Sequence, residues 1–290
     1  MATNTPFGQR LGLVLEGGAM RGIYTAGVLD VFLEAGIMPD VVVGVSAGAL
    51  HGCSYVAGQK GRSIRYYRKY RSDKHFMGLY SLLTTGDVVG TKFCYEDIPL
   101  RLDPFDEAAF EKAPVDFYVT VTNVRTGKPE YILCDELKVG SKMDVIRAGA
   151  SMPLCSKMVE WNGNLYLDGG VSDSIPYAKM KDFGCRKSIV VLTQPAGYLK
   201  QPAAMAPFEA MYRKYPAFVE AMRGRDQMYN TEVCAVEQAA KQGDVFLIRP
   251  SKSLHVGRME HDIEVLNAQY ELGRQDARNQ MDAMREWMER

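Results

Sequence analysis

The 290-residue chain carries 35 basic and 35 acidic side chains and is 47% hydrophobic. Balanced charge offers no global field for nucleic acid, and this length and apolar content suit one large buried core better than two small ones. No apolar run approaches the roughly 20 residues of a membrane span, and Met1-Ala2-Thr3-Asn4-Thr5-Pro6 lacks the basic start and apolar core of a secretory leader.

Residues 11–15 read as a short buried strand, followed directly by Glu16-Gly17-Gly18-Ala19-Met20-Arg21-Gly22. A helix then opens, with Ile23, Ala26, Val28, Leu29, Phe32 and Leu33 as an apolar stripe. A glycine loop before a helix cradles an anion, because its N–H groups can face one point. A dinucleotide loop needs glycine at position 19 and an acid after the next strand, and a Walker loop needs Gly-Lys-Ser/Thr; both are absent. An oxyanion remains. The run Val41-Val42-Val43 stops at Gly44-Val45-Ser46-Ala47-Gly48, and a helix over 47–56 follows. A strand turning sharply into a helix exposes its corner residue, which makes Ser46 a candidate nucleophile; the plain alternative is a tight turn of small residues.

Residues 62–73 read as a polar helix. Seven Lys/Arg and one acid between Lys60 and Lys74 alternate with Tyr66, Tyr67 and Tyr70, which suits either a solvated face with inward tyrosines or transient contact with an anionic membrane surface. Strands are expected over 115–123 and 129–133, and a helix over 142–150. A hairpin over 157–167 turns at Asn162-Gly163-Asn164 and runs into Asp168-Gly169-Gly170. A helix over 175–183 and a buried parallel strand over 188–192 follow. Prolines and methionines in 197–228 suit a mobile cover over an acyl groove or a plain helical insertion. The last strand is expected over 245–249. From Asp262 onward Ile263, Leu266, Tyr270, Ala277, Met281, Met284 and Met288 mark a long amphipathic helix docked on the core. Cys53, Cys94, Cys134, Cys155, Cys185 and Cys234 are scattered singly, without metal-ligand spacing. That pattern fits a reducing, cytoplasmic setting and calls for no metal and no cofactor.

The glycine loop at 16–22, Gly-Val-Ser-Ala-Gly at 44–48 and Asp-Gly-Gly at 168–170, in this order and spacing, resemble the patatin-like phospholipases, lipid acyl hydrolases that use a Ser–Asp dyad. Ala150-Ser151-Met152-Pro153 is similar to the family's Ala-Ser-x-Pro segment, and the resemblance spans residues 11–195. It implies an α/β fold, a three-layer α/β/α sandwich around a mostly parallel sheet. Residues 1–195 would form the catalytic core; 196–290 would add a helical cover, the last strand and a C-terminal helical extension packed on the same domain. It further implies Ser46 as nucleophile, Asp168 as proton acceptor, and the N–H groups of Gly17, Gly18 and Ala19 as oxyanion hole, supported by Arg21, Gly22, Gly44, Gly48, Gly169 and Gly170. Ala19 stands where the family has a third glycine, and a donor survives there if its φ is negative. Arg21 is expected to pair with a nearby acid, with a phosphate head group as the alternative. The implied substrate is a lipid ester. Two rivals stay open: an α/β-hydrolase using His255 or His261 as base, and a lipid-binding protein whose dyad is idle. Transfer of the acyl group to an acceptor other than water is a further variant.

Overall fold

A computed structural model describes residues 6–290; Met1–Thr5, read above as lacking a leader, lie outside the described residues. Eight strands form one sheet in the order β5-β6-β3-β2-β1-β7-β8, with β4 also paired to β3. In chain order they are β1 (Arg10–Leu15), β2 (Val41–Val45), β3 (Asp116–Asn123), β4 (Pro129–Leu133), β5 (Val159–Trp161), β6 (Asn164–Asp168), β7 (Cys185–Val191) and β8 (Val245–Ile248). β1, β2, β3, β7 and β8 run parallel, while β4, β5 and β6 form the antiparallel side.

Burial along the central strands explains their continuous apolar runs. Leu13 and Leu15 point into one core with α1 (Ile23–Glu34) and α2 (Ala47–Val56); Val14 points into the opposite one. Helices cover both faces, so both side-chain rows must be apolar. The remaining helices are α3 (Arg62–Tyr70), α4 (Leu79–Thr85), α5 (Glu107–Lys112), α6 (Met143–Gly149), α7 (Ala206–Met211), α8 (Pro216–Arg223), α9 (Arg225–Gln242) and α10 (Ile263–Glu289). α6 and α10 join α1 and α2 on the first face, and α9 packs on the second. This is the expected three-layer sandwich with helices after the last strand.

Register places the functional ends. Leu15 lies opposite Gly44, so β1 and β2 finish flush and both following loops emerge at one edge. β3 carries Val45 opposite Thr120 and Asp168 opposite Val121. Adjacent residues of one strand therefore align the end of β2 with the end of β6, although Ser46 and Asp168 are 122 positions apart.

Three expectations need correction. The helix expected over 175–183 is a 3-10 helix restricted to Ala178–Phe183. The polar helix ends at Tyr70, short of the expected residue 73; Arg62 is buried, Arg65 pairs with Asp103 at 2.7 Å, and Arg68 and Lys69 are exposed. Tyr66, Tyr67 and Tyr70 are buried, so the tyrosines turn inward beneath an exposed basic face, as one of the two readings had it. α1, read as a one-sided stripe, is buried from Ile23 through Phe32 on every side, because α10 closes over its outer face.

Candidate active site

Ser46 is the corner between β2 and α2, with no intervening loop. Its backbone sits at φ 53° and ψ −123°, a conformation that costs a non-glycine residue about 1–3 kcal/mol and that the flanking elements impose. Its Oγ donates to Asp168 Oδ2 at 2.6 Å. Asp168 is fixed on three further sides. Its N–H donates to the Ser151 carbonyl at 2.9 Å, its carbonyl accepts from the Thr122 hydroxyl at 2.8 Å, and its Oδ1 accepts from Gly170 N–H at 2.8 Å. Through the Ser151 carbonyl, the Ala150–Pro153 segment holds the aspartate in place.

Both members of the pair are buried, Ser46 at 8% and Asp168 at 5% exposure. Burial raises the Asp168 carboxyl above its ordinary range, opposed by the Ser46 hydroxyl, the Arg225 guanidinium and Gly170 N–H. A desolvated carboxylate is a stronger base, which is what proton transfer from a serine requires.

The glycine loop packs on this corner. A Cβ at Gly17 would stand 2.8 Å from Ser46 Cβ, so a side chain there would displace the serine. Gly22, Gly44, Gly48 and Gly169 are equally close-packed, each against backbone or Cβ atoms of the motifs' own elements. The N–H groups of Gly17, Gly18 and Ala19 donate to no protein acceptor among the described residues. They form a run of unused donors beside a serine hydroxyl. Glu16, buried beneath the loop, accepts Thr193 N–H at 2.5 Å and ties the loop to the end of β7. Two expectations fail here. Ala19 has φ 49°, so the condition of a negative φ is not met; alanine itself takes the left-handed conformation that suits glycine there, at a cost of about 1–2 kcal/mol, and its N–H stays among the unused donors. Arg21 forms no ion pair among the described residues, and its Nε is buried without a partner.

Two cavities meet at Ala19, Ser46 and Met152. The first is apolar, lined by Leu50, Tyr67, Phe76, Tyr95, Ile98 and Ile146 among others; its one cation, Arg62, is committed to Ser54 and Asp103. The second contains Asp168 and four cations: Arg21, Lys200, Arg225 and Arg258. Of these Arg225 Nε donates to the Gly170 carbonyl at 2.5 Å, bracing the turn that follows Asp168. Lys200, Arg225 and Arg258 escaped the sequence reading because an isolated basic residue on a helix or loop carries no local signal. The 197–228 segment contributes Lys200, Phe208, Met222 and Arg225 to this polar cavity and nothing to the apolar one.

No histidine reaches the pair. His51 is buried without a hydrogen-bond partner, its pKa pushed down to about 4 by burial. His75 contacts Asp73, and His255 and His261 are exposed. Among the described residues no group of three or more His, Cys, Asp or Glu is placed to hold a metal ion, and no helix is long and apolar enough to cross a membrane.

A family model for patatin-like phospholipases matches residues 13–180, and a model for a domain of unknown function matches residues 215–289. The uncharacterized protein YjjU of Escherichia coli (strain K12) is 28% identical over 273 residues, covering 91% of this chain and 75% of YjjU. Lysophospholipase nte1 of Aspergillus terreus is 30% identical over 61% of this chain, and Lysophospholipase NTE1 of Saccharomyces cerevisiae is 30% identical over 63% of it. The match spans only 11% of the length of each of these two. The crystal structure of VipD from Legionella pneumophila superimposes with a TM-score of 0.46 and 13% identity, covering 96% of this chain and 67% of VipD.

Proposed function

Because the chain belongs to the patatin-like phospholipase family, we propose that it is a serine acyl hydrolase cleaving carboxylic esters of lipids through Ser46 and Asp168. The observation that carries this is the 2.6 Å hydrogen bond between two buried side chains beside a loop of unused N–H donors. Asp168 takes the proton as Ser46 Oγ attacks the ester carbonyl. The tetrahedral oxyanion that forms is held by the N–H groups of Gly17, Gly18 and Ala19, each donor typically worth about 10²–10³ in rate. Collapse expels the alcohol, which takes the proton back from Asp168 and leaves an acyl-serine. Asp168 then deprotonates a water that attacks the acyl carbon, and as the second tetrahedral intermediate collapses it returns that proton to Ser46 Oγ, freeing the fatty acid.

The apolar cavity suits the acyl chain. The fungal relatives' designation as lysophospholipases supports a lipid ester, although they match over a small part of their length. Transient contact with a membrane surface is supported by α4: Leu79 and Leu83 are 70% and 76% exposed, and the helix follows Phe76 and Met77, which line the apolar cavity. A division into a core to residue 195 and a completing region beyond it belongs to the same proposal. A His-based mechanism finds no base in reach, and an idle pair is the outcome that experiment decides. Ser46→Ala is expected to abolish hydrolysis of a fatty-acyl ester panel with thermal unfolding still cooperative. Substantial residual turnover in a folded variant counts against the assignment.

A further inference from the structure

The ester chemistry leaves the second cavity largely unexplained. Arg21, Lys200, Arg225 and Arg258 all line it, together with Ser46, and none of them has an acidic ion-pair partner among the described residues. Its two carboxylates are already committed, Glu16 to Thr193 N–H and Asp168 to Ser46 and Gly170. Arg225 uses its Nε on the Gly170 carbonyl, and Arg21 leaves its Nε buried and unpartnered. The cations are close enough to feel one another: Lys200 is pushed down to about 8, by burial first and then by repulsion from Arg225, with smaller repulsion from Arg258 and Arg21, against the pull of Glu16. Gathering four like charges around one hollow is unfavourable unless an anion enters it.

The place of this hollow says what the anion is attached to. The apolar cavity and the cationic one have different linings and share only Ala19, Ser46 and Met152. An ester bound at Ser46 with its acyl chain in the apolar cavity directs its alcohol portion among the cations. Guanidinium forks match the terminal oxygens of a phosphate. A quaternary ammonium would meet four positive charges, and the face of Tyr229, which such a group would use, carries Lys200 Nζ at 4.1 Å.

We propose that this cavity is the head-group subsite and that it selects acyl glycerols ending in a phosphate monoester over those with zwitterionic or uncharged head groups. Three of its four cations come from beyond residue 195, outside the region matched by the patatin-like model and, for Arg225 and Arg258, within the one matched by the domain of unknown function, so head-group choice is set by the C-terminal part of this chain. The proposal rests on the acyl-hydrolase reading, and its test separates the two.

Two measurements on the full chain serve. The first compares kcat/KM for acyl-matched 1-acylglycerol 3-phosphate, 1-acylglycerophosphocholine and 1-acylglycerol. The phosphate monoester is expected to lead by about tenfold or more, and Arg258→Gln and Lys200→Gln each to reduce that lead by about tenfold, the size of one charge-assisted hydrogen bond. Arg258→Lys should keep more of the lead than Arg258→Gln. The second is calorimetric titration of the Ser46→Ala protein with the same lipids, where the same order is expected and Arg258→Gln weakens only the phosphate lipid. Equal rates and equal affinities across the panel overturn the proposal. So does inorganic phosphate binding as tightly as the lipid, which would assign the cavity to a free anion. Phosphate-selective binding without hydrolysis of any lipid upholds the subsite while sinking the hydrolase reading.

Discussion

Asp168 faces two opposed demands. Burial makes it a better base and also a thermodynamic burden. Its carboxyl is raised in the fold, so the native state holds its proton to higher pH than the unfolded chain does. The stability associated with that proton is present at low pH and is lost as pH rises through the raised value. At neutral pH the ionised side chain therefore costs stability, whereas catalysis needs it ionised. Asp168→Asn should lower turnover by at least about two orders of magnitude and raise the midpoint of thermal unfolding. The wild-type rate should fall on the acid side through one carboxylate titrating above the ordinary aspartate range of about 3.9. Unchanged turnover would contradict the role of Asp168 as base, and a lowered midpoint would contradict the stability cost of its buried charge. Ala19 makes a second residue-scale case. Ala19→Gly relieves its left-handed backbone and should stabilise the protein by about 1 kcal/mol, less the entropy that glycine returns to the unfolded chain, with esterase activity retained. Denaturant unfolding measures it.

Legibility followed the range of the signal. Ser46, Asp168 and the glycine loop could be read because each sits at a strand end with glycine packed around it, a pattern confined to a few consecutive residues. Arg225, Lys200 and Arg258 converge only through the third dimension, and no spacing in the chain announces them. The φ of Ala19 was equally invisible, since it depends on how tightly the loop folds under Ser46.

Among elements, the packing of α10 on α1 shows what helical periodicity misses. Both helices carry a glycine at the crossing: a Cβ at Gly27 would stand 2.1 Å from the Tyr270 carbonyl oxygen, and one at Gly273 the same distance from that of Tyr24. The backbones touch there. Reciprocal hydrogen bonds flank the contact, Tyr24 to Asp276 at 3.1 Å and Tyr270 to Asp30 at 2.6 Å. The stripe on α10 was readable, but its partner face on α1, which includes Asp30, was not, because a polar residue satisfied by another helix looks solvent-exposed in sequence. Gly27→Ala and Gly273→Ala should each destabilise by about 1–3 kcal/mol through overpacking, while Gly36→Ala, at a left-handed turn with open space around it, serves as a strain-only control. Chemical denaturation that finds either crossing variant neutral would mean the helices are not in backbone contact.

Across the whole molecule, one strand does the positioning. β3 bears β2 and β6 at neighbouring register positions, so serine and aspartate meet although 122 residues separate them. The region beyond residue 195 then completes the site: β8 extends the sheet beside β7, α9 delivers Arg225 to the turn after Asp168, and Lys200 and Arg258 charge the adjoining cavity. The sheet and its two helical layers were legible in outline because apolar runs and turn residues repeat along the chain. The meeting of an apolar and a cationic cavity at Ser46 belongs to no single segment and needed the assembled fold.

The central claim is that Asp168 activates Ser46 Oγ. Covalent labelling with a fluorophosphonate, located by mass spectrometry of the digested protein, reads that directly. The account predicts one adduct, on Ser46, formed at least about a hundredfold more slowly in a folded Asp168→Asn variant. An adduct on another residue, or labelling of Asp168→Asn at the wild-type rate, would contradict it.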